Sequence, residues 1–174
     1  MNDLKKLIRT IPHFPKEGVM FRDITSLLQD AHGLRRLIVL LTERYQDLNL
    51  TKICAIESRG FIFGSVLAEK LSAGLVLVRK PGKLPAETIS QSYTLEYGED
   101  KLEIHKDSIK PGDRVLVHDD LLATGGTARA ACELIEKAGG KIVQVSFIIE
   151  LSFLGGREKF ADYLVSTLVS YDSE

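Results

Sequence analysis

Cysteine is nearly absent from this chain of 174 residues: Cys54 and Cys132 are the only two, and both sit in apolar stretches. Two such thiols make no disulfide framework, so they are expected to be reduced and buried. An excess of either charge is also missing, with 23 Lys and Arg against 24 Asp and Glu and both signs spread along the chain. That excludes an electrostatic footprint for nucleic acid or an acidic membrane surface, and any bound anion must be held locally. Long hydrophobic runs are lacking too. The longest strongly apolar cluster, LIVLL at 37–41, is far below a membrane span, and MNDLKKLIRT at the N-terminus has no apolar signal core. No repeat, low-complexity tract or linker divides the sequence. The expectation is one soluble, cytoplasmic domain over residues 1–174, whose 44% hydrophobic content suffices for a substantial core.

The pattern along the chain predicts an α/β fold. LKKLIRT suggests a short helix, and the proline- and glycine-bearing IPHFPKEGVMFRDI after it reads as an ordered loop with little regular structure. Helical spacing resumes from Gly33 to Gln46. KICAIE is a short apolar strand, GFIFGSVLAEKLS a helix, and LVLVR at 75–79 the next strand. ISQSYTLEY and KLEIHKD look like two arms of a hairpin turning through 98–100. RVLVHDD, TARAACELIEKAGG and KIVQVSFIIE then complete a strand, helix, strand alternation. This order argues for a mostly parallel sheet with helices on its faces.

The most informative stretch is VLVHDDLLATGGTARA, Val115 to Ala130. It places Asp119 and Asp120 at the carboxyl end of a buried strand, where open α/β sheets bind ligands. Backbone amides of Ala123, Thr124, Gly125, Gly126 and Thr127, with the two threonine hydroxyls, can surround a phosphate at the helix N-terminus. The wording is neither a Walker A loop nor a dinucleotide fingerprint. Two carboxylates would repel a phosphate unless something between them wanted acceptors and negative charge. A ribose meets both needs, since its 2'- and 3'-hydroxyls donate and its anomeric carbon becomes cationic as a bond to C1' breaks. The bland alternative, a solvated helix cap with an Asp beside it, accounts for one carboxylate and not for the whole run.

These residues carry a resemblance. VLVHDDLLATGGTA resembles the phosphoribosyl pyrophosphate signature of the type I phosphoribosyltransferases. Together with FRDIT at 21–25, ESRGFIFG at 57–64, RKPGKLP at 79–85 and SYTLEYG at 92–98, it is similar to the adenine-specific branch of that family over nearly the whole chain. The resemblance implies the type I phosphoribosyltransferase fold, with residues 1–25 contributing to a base-binding hood and a mobile hairpin as lid. It implies a glycosyltransferase of purine salvage, converting adenine and phosphoribosyl pyrophosphate to AMP and pyrophosphate. It further implies Mg2+ brought in with the substrate rather than held by protein ligands, and a homodimer that binds neither nucleic acid nor membrane.

Residue by residue, the resemblance gives Glu96 the role of general acid/base near adenine N7, in a lid against which Tyr97 packs. Glu57, Ser58 and Arg59 meet the leaving pyrophosphate, as do Arg79, Lys80 and Lys83, the last two within one subunit or across an interface. Met20, Phe21 and Arg22 receive adenine, with the Met20 carbonyl accepting from its amino group and the Arg22 N–H donating to N1. By themselves Arg59 can also be read as a surface residue, Lys80 and Lys83 as a solvated charge run, and Glu96 as an exposed carboxylate. Two departures are visible: Pro81 stands where the family often has a basic residue, and His118 where it commonly has an aliphatic one. His118 is expected to fill the second face of its strand. His13, His32 and His105 have no partners at zinc spacing. Other functions open to such a chain are a phosphoribosyl pyrophosphate-sensing or DNA-binding regulator, which would need a basic face, and a transferase for hypoxanthine, guanine or xanthine.

Overall fold

The computed structural model describes residues 2–94 and 99–173. Helix α1 (Asn2–Leu7) precedes strands β1 (Arg9–Pro12) and β2 (Met20–Asp23), helices α2 (Thr25–Gln29) and α3 (Ala31–Tyr45), strand β3 (Lys52–Ile56), helix α4 (Gly60–Lys70) and strand β4 (Gly74–Val78). Then come β5 (Thr88–Thr94), β6 (Glu99–His105), β7 (Arg114–Leu122), α5 (Gly126–Lys137), β8 (Lys141–Leu151), β9 (Val165–Ser166) and β10 (Val169–Tyr171). The central sheet runs β10-β8-β7-β3-β4, with β9 also on β8, and every pairing in it is parallel.

Why these strands are apolar throughout follows from where their side chains go. Val115 and Val117 face one core, with Ala131 and Leu134 of α5 and Phe147. Leu116 faces the other, with Leu37 and Leu41 of α3 and Phe63 and Leu67 of α4. A parallel sheet covered on both faces has no solvent side, so its strands lose the polar alternation. Alanines at 128, 130 and 131 let α5 lie close on the sheet. Asp30 caps α3, its carboxylate accepting from Gly33 N at 2.6 Å. Cys54 and Cys132 are buried free thiols, and no helix among the described residues is long and apolar enough to cross a membrane.

Two expectations need correction. The proline-rich segment is not mere loop: β1 and β2 pair antiparallel from Arg9↔Asp23 to Pro12↔Met20, tied by the Arg9–Asp23 ion pair at 2.5 Å. Strands of four residues with Pro and Gly between them carry too short a pattern to read, and their pairing depends on contacts across the connection. The strand that bears the Asp pair also runs two residues further than RVLVHDD, to Leu122. Pairing with β8 continues through Asp119↔Phe147, Leu121↔Ile149 and Leu122↔Glu150, which carries β7 to Leu122.

His118 does fill the second face of β7, fully buried with Nδ1 3.0 Å from Ser146 Oγ, which also accepts from Tyr45 Oη at 2.6 Å. Burial pulls its pKa down from 6.5 to about 4. The fold therefore favours the neutral ring, while the unfolded chain takes up a proton below pH 6.5. Stability should fall as pH drops from 6.5 to about 4, this residue alone costing about 3 kcal/mol at the lower end. Urea unfolding of wild type and His118→Leu at pH 7, 5.5 and 4 checks this; the substitution should flatten the acid slope, and parallel slopes would refute it.

Candidate active site

The cleft is built where β7 ends and α5 begins. Asp119 Oδ1 accepts from Asp120 N at 2.8 Å. Asp120 is buried at 5% exposure and its Oδ2 is ion-paired with Arg59 Nε. Burial first, and then the charge of Asp120, push the Asp119 carboxyl well above the usual carboxylate range. Beyond them a solvent-open cavity of about 100 Å³ is lined by Asp119, Thr124, Gly125, Gly126 and Thr127 among others. Gly125 has φ +77°, a left-handed conformation that glycine adopts without a Cβ penalty.

The same loop rests directly on a second turn. A Cβ on Gly125 would stand 2.7 Å from the Gly156 carbonyl, and one on Gly156 would stand 2.0 Å from the Ala123 carbonyl. Backbone thus packs on backbone, and only glycine fits. Arg157 holds the turn in place through Glu150, donating from Nε at 2.8 Å and again from Nη2. Gly156 is a site residue that the sequence reading missed. The Gly155-Gly156 pair was its only signal, since the contact joins positions about thirty residues apart.

Glu57 follows β3, and the exposed Ser58 and half-buried Arg59 lead into α4, the Glu57–Ser58 peptide being cis. The Glu57 carboxylate accepts from Arg79 Nε at 3.0 Å and Lys80 N at 3.1 Å, and pairs with Lys83 Nζ at 3.0 Å. Partial burial opposes ionisation, but these bonds, led by that from Lys83, hold its pKa below the ordinary value. Glu57 therefore organises the cationic segment 79–83 and does not stand free beside an anion. Lys80 Nζ reaches Asp100 at 3.0 Å.

The antiparallel pair of β5 and β6 contacts both the 79–83 segment and the 123–127 loop. Tyr93 Oη donates to Asp100 Oδ2 at 3.2 Å and receives the Thr127 hydroxyl at 3.4 Å. Glu96 and Tyr97 lie outside the described residues. On the remaining side of the cleft stands β2, bearing Met20, Phe21 and Arg22. Phe21 packs edge-on against Phe14, centroids 5.1 Å apart, and lies 5.8 Å from the Arg59 guanidinium. Arg59 thus bridges Phe21 and the buried Asp120, which puts β2 over the carboxylate pair. Among the described residues no group of three His, Cys, Asp or Glu is arranged to hold a metal.

The arrangement offers a loop of amides for a phosphate, carboxylates for a polyol, guanidinium and ammonium groups for a second anion, and an aromatic strand above them. The phosphoribosyl transferase domain matches residues 23–168. Adenine phosphoribosyltransferase of Geobacter metallireducens is 53% identical over 171 residues, covering 98% of this chain and all of that one. Among solved structures, adenine phosphoribosyltransferase from Rhodothermus marinus superposes with a TM-score of 0.93 at 51% identity, covering 98% of this chain and 97% of its own. The enzyme of Giardia lamblia, solved in complex with 9-deazaadenine, gives a TM-score of 0.92 at 38% identity, with 99% and 98% coverage. Fold, cleft and relatives converge, and the chain belongs to the phosphoribosyltransferase family, on its adenine phosphoribosyltransferase branch.

Proposed function

We propose that this chain, acting as one domain with residues 1–25 as its hood, transfers the phosphoribosyl group of phosphoribosyl pyrophosphate to adenine, giving AMP and pyrophosphate in purine salvage. The observation that carries the reading is the Asp119–Asp120 pair standing beside the Ala123–Thr127 loop at the mouth of a parallel strand. The loop amides and the hydroxyls of Thr124 and Thr127 hold the 5'-phosphate. Asp119 and Asp120 accept the ribose hydroxyls and place negative charge beneath C1' as the bond to pyrophosphate breaks. Arg59, Lys80 and Lys83 receive the leaving pyrophosphate, with Ser58 at the turn and Arg79 beside them, while Glu57 positions the lysines. Glu96 supplies the proton relay at adenine N7 and the hairpin bearing Tyr97 excludes water, which would otherwise capture the cationic ribose.

Mg2+ enters as part of the substrate, the magnesium complex of phosphoribosyl pyrophosphate. Its remaining ligands would be phosphate oxygens and water, since among the described residues no group of three His, Cys, Asp or Glu is arranged to hold a metal. Bound there, it lowers the charge on the departing pyrophosphate. The chain works in the cytoplasm as a homodimer, an assembly state that sedimentation will report.

Pyrophosphate release on mixing phosphoribosyl pyrophosphate, Mg2+ and adenine tests the activity. Asp119→Asn and Asp120→Asn should each slow it roughly ten- to a hundredfold, since each loses about 1 to 3 kcal/mol of transition-state contact while keeping shape. Asp120→Asn should also move the acid limb of the rate profile to lower pH, because the charge that raises the Asp119 pKa has gone. Near-normal turnover in both variants would remove the carboxylates from the mechanism.

A further inference from the structure

Strands β1 and β2 form a sheet of their own, apart from the central one, so side chains must hold β2 above the cleft. Arg22 provides the attachment that reaches furthest. Its guanidinium lies over the ring of Tyr171, 4.1 Å from Cζ to centroid, while Nη1 donates to Thr10 Oγ1 at 2.5 Å and Nη2 to the Ser173 carbonyl at 3.4 Å. Its Nε is buried without a hydrogen-bond acceptor. The aromatic face is then the principal partner of the cation's inner side. Lys5 Nζ lies 4.3 Å from the same ring and donates to the Ser170 carbonyl at 2.7 Å, which ties α1 to the same place.

Tyr171 itself is firmly seated. It ends β10, pairs in parallel register with Leu151 of β8, is 8% exposed, and its carbonyl accepts from Ser152 Oγ at 3.1 Å. A continuous path therefore runs from the central sheet through β10 and the Tyr171 ring to Arg22, and through Thr10 to the facing strand of the hairpin. Among the described residues, Tyr171, Arg22 and Thr10 make no hydrogen bond or ring contact with the 123–127 loop or the carboxylate pair.

We infer that Tyr171 is a positioning residue for base recognition, its ring fixing through Arg22 the backbone of β2 that meets adenine. This rests on the reading that Met20 and Arg22 present their backbone groups to the base. A displaced β2 misaligns two hydrogen bonds to adenine directly, whereas its contact with Asp120 is indirect, through Phe21 and Arg59, so the damage falls chiefly on one substrate.

The test compares Tyr171→Leu, which removes the aromatic face, with Tyr171→Phe, which keeps it. In Tyr171→Leu, amide hydrogen exchange over residues 20–23 should quicken about tenfold and KM for adenine should rise about tenfold, the scale of a desolvated cation–π contact. The preference for adenine over hypoxanthine should narrow, while kcat and KM for phosphoribosyl pyrophosphate stay within about twofold. Tyr171→Phe should match wild type in all of these. Unchanged exchange over 20–23, equal damage in the Phe variant, or a parallel rise in both KM values would overturn the proposal. If Tyr171→Leu does not fold, Arg22→Gln must quicken the same exchange, and failure to do so has the same force. A wild-type enzyme indifferent to the base, with exchange still quickened in Tyr171→Leu, would instead defeat the backbone reading of adenine and leave the brace standing.

Discussion

Adenine should be used on the order of a thousandfold more efficiently than hypoxanthine or guanine, measured as kcat/KM by pyrophosphate release. The reason lies in β2, because Met20 and Arg22 are two residues apart on one strand and so direct their backbone groups to the same edge. A carbonyl from Met20 beside an N–H from Arg22 matches the 6-amino donor and N1 acceptor of adenine. A 6-oxopurine reverses both polarities, with an acceptor at position 6 and a donor at N1. Each reversed contact leaves a buried group unpaired at about 1 to 3 kcal/mol, and two together give the stated ratio. Phe21 and Phe14 add packing but little discrimination, since both bases offer similar faces. Arg22→Ala keeps the N–H and so should keep adenine preferred, at lower activity, because the contacts to Tyr171, Thr10 and Ser173 are gone. Comparable kcat/KM for the two bases in wild type, or a preference reversed by Arg22→Ala, would sink the readout.

Glu96→Gln should lower kcat about a hundredfold or more while phosphoribosyl pyrophosphate binding stays within a few fold. The amide keeps size and one acceptor but cannot exchange a proton with N7 as N9 attacks C1'. Binding is spared because the groups proposed for the two phosphate ends lie elsewhere, on the 123–127 loop and the 57–59 and 79–83 segments. The hairpin that carries Glu96 is moored to both, through Tyr93 to Thr127 and through Asp100 to Lys80. A large loss of phosphoribosyl pyrophosphate binding with unchanged kcat would make Glu96 a substrate-positioning residue.

Much of this architecture is legible along the chain because it is local. Apolar runs such as KICAI and the 3.6-residue spacing of α3 and α5 report burial on two faces and on one, and the run DDLLATGGT carries carboxylates, turn and helix start within nine consecutive residues. Strand, loop and helix there need no distant partner to be recognised. The pairing of β5 with β6 is likewise announced by the alternation of its strands. The readings that changed belong to positions whose partners are remote. β1 and β2 are too short for a pattern of their own, and β7 runs on past the aspartates only because β8 continues beside it. Glu57 reads as one more residue facing an anion until the parallel register of β3 and β4 sets it against Arg79, Lys80 and Lys83. The Arg59–Asp120 pair spans 61 positions, and Arg22 meets the carbonyl of Ser173 across 151. Residue type and spacing thus specify which chemistry each segment carries. Which groups neutralise or brace one another follows from sheet register and loop packing, which bring together side chains whose separation in the chain holds no periodic trace.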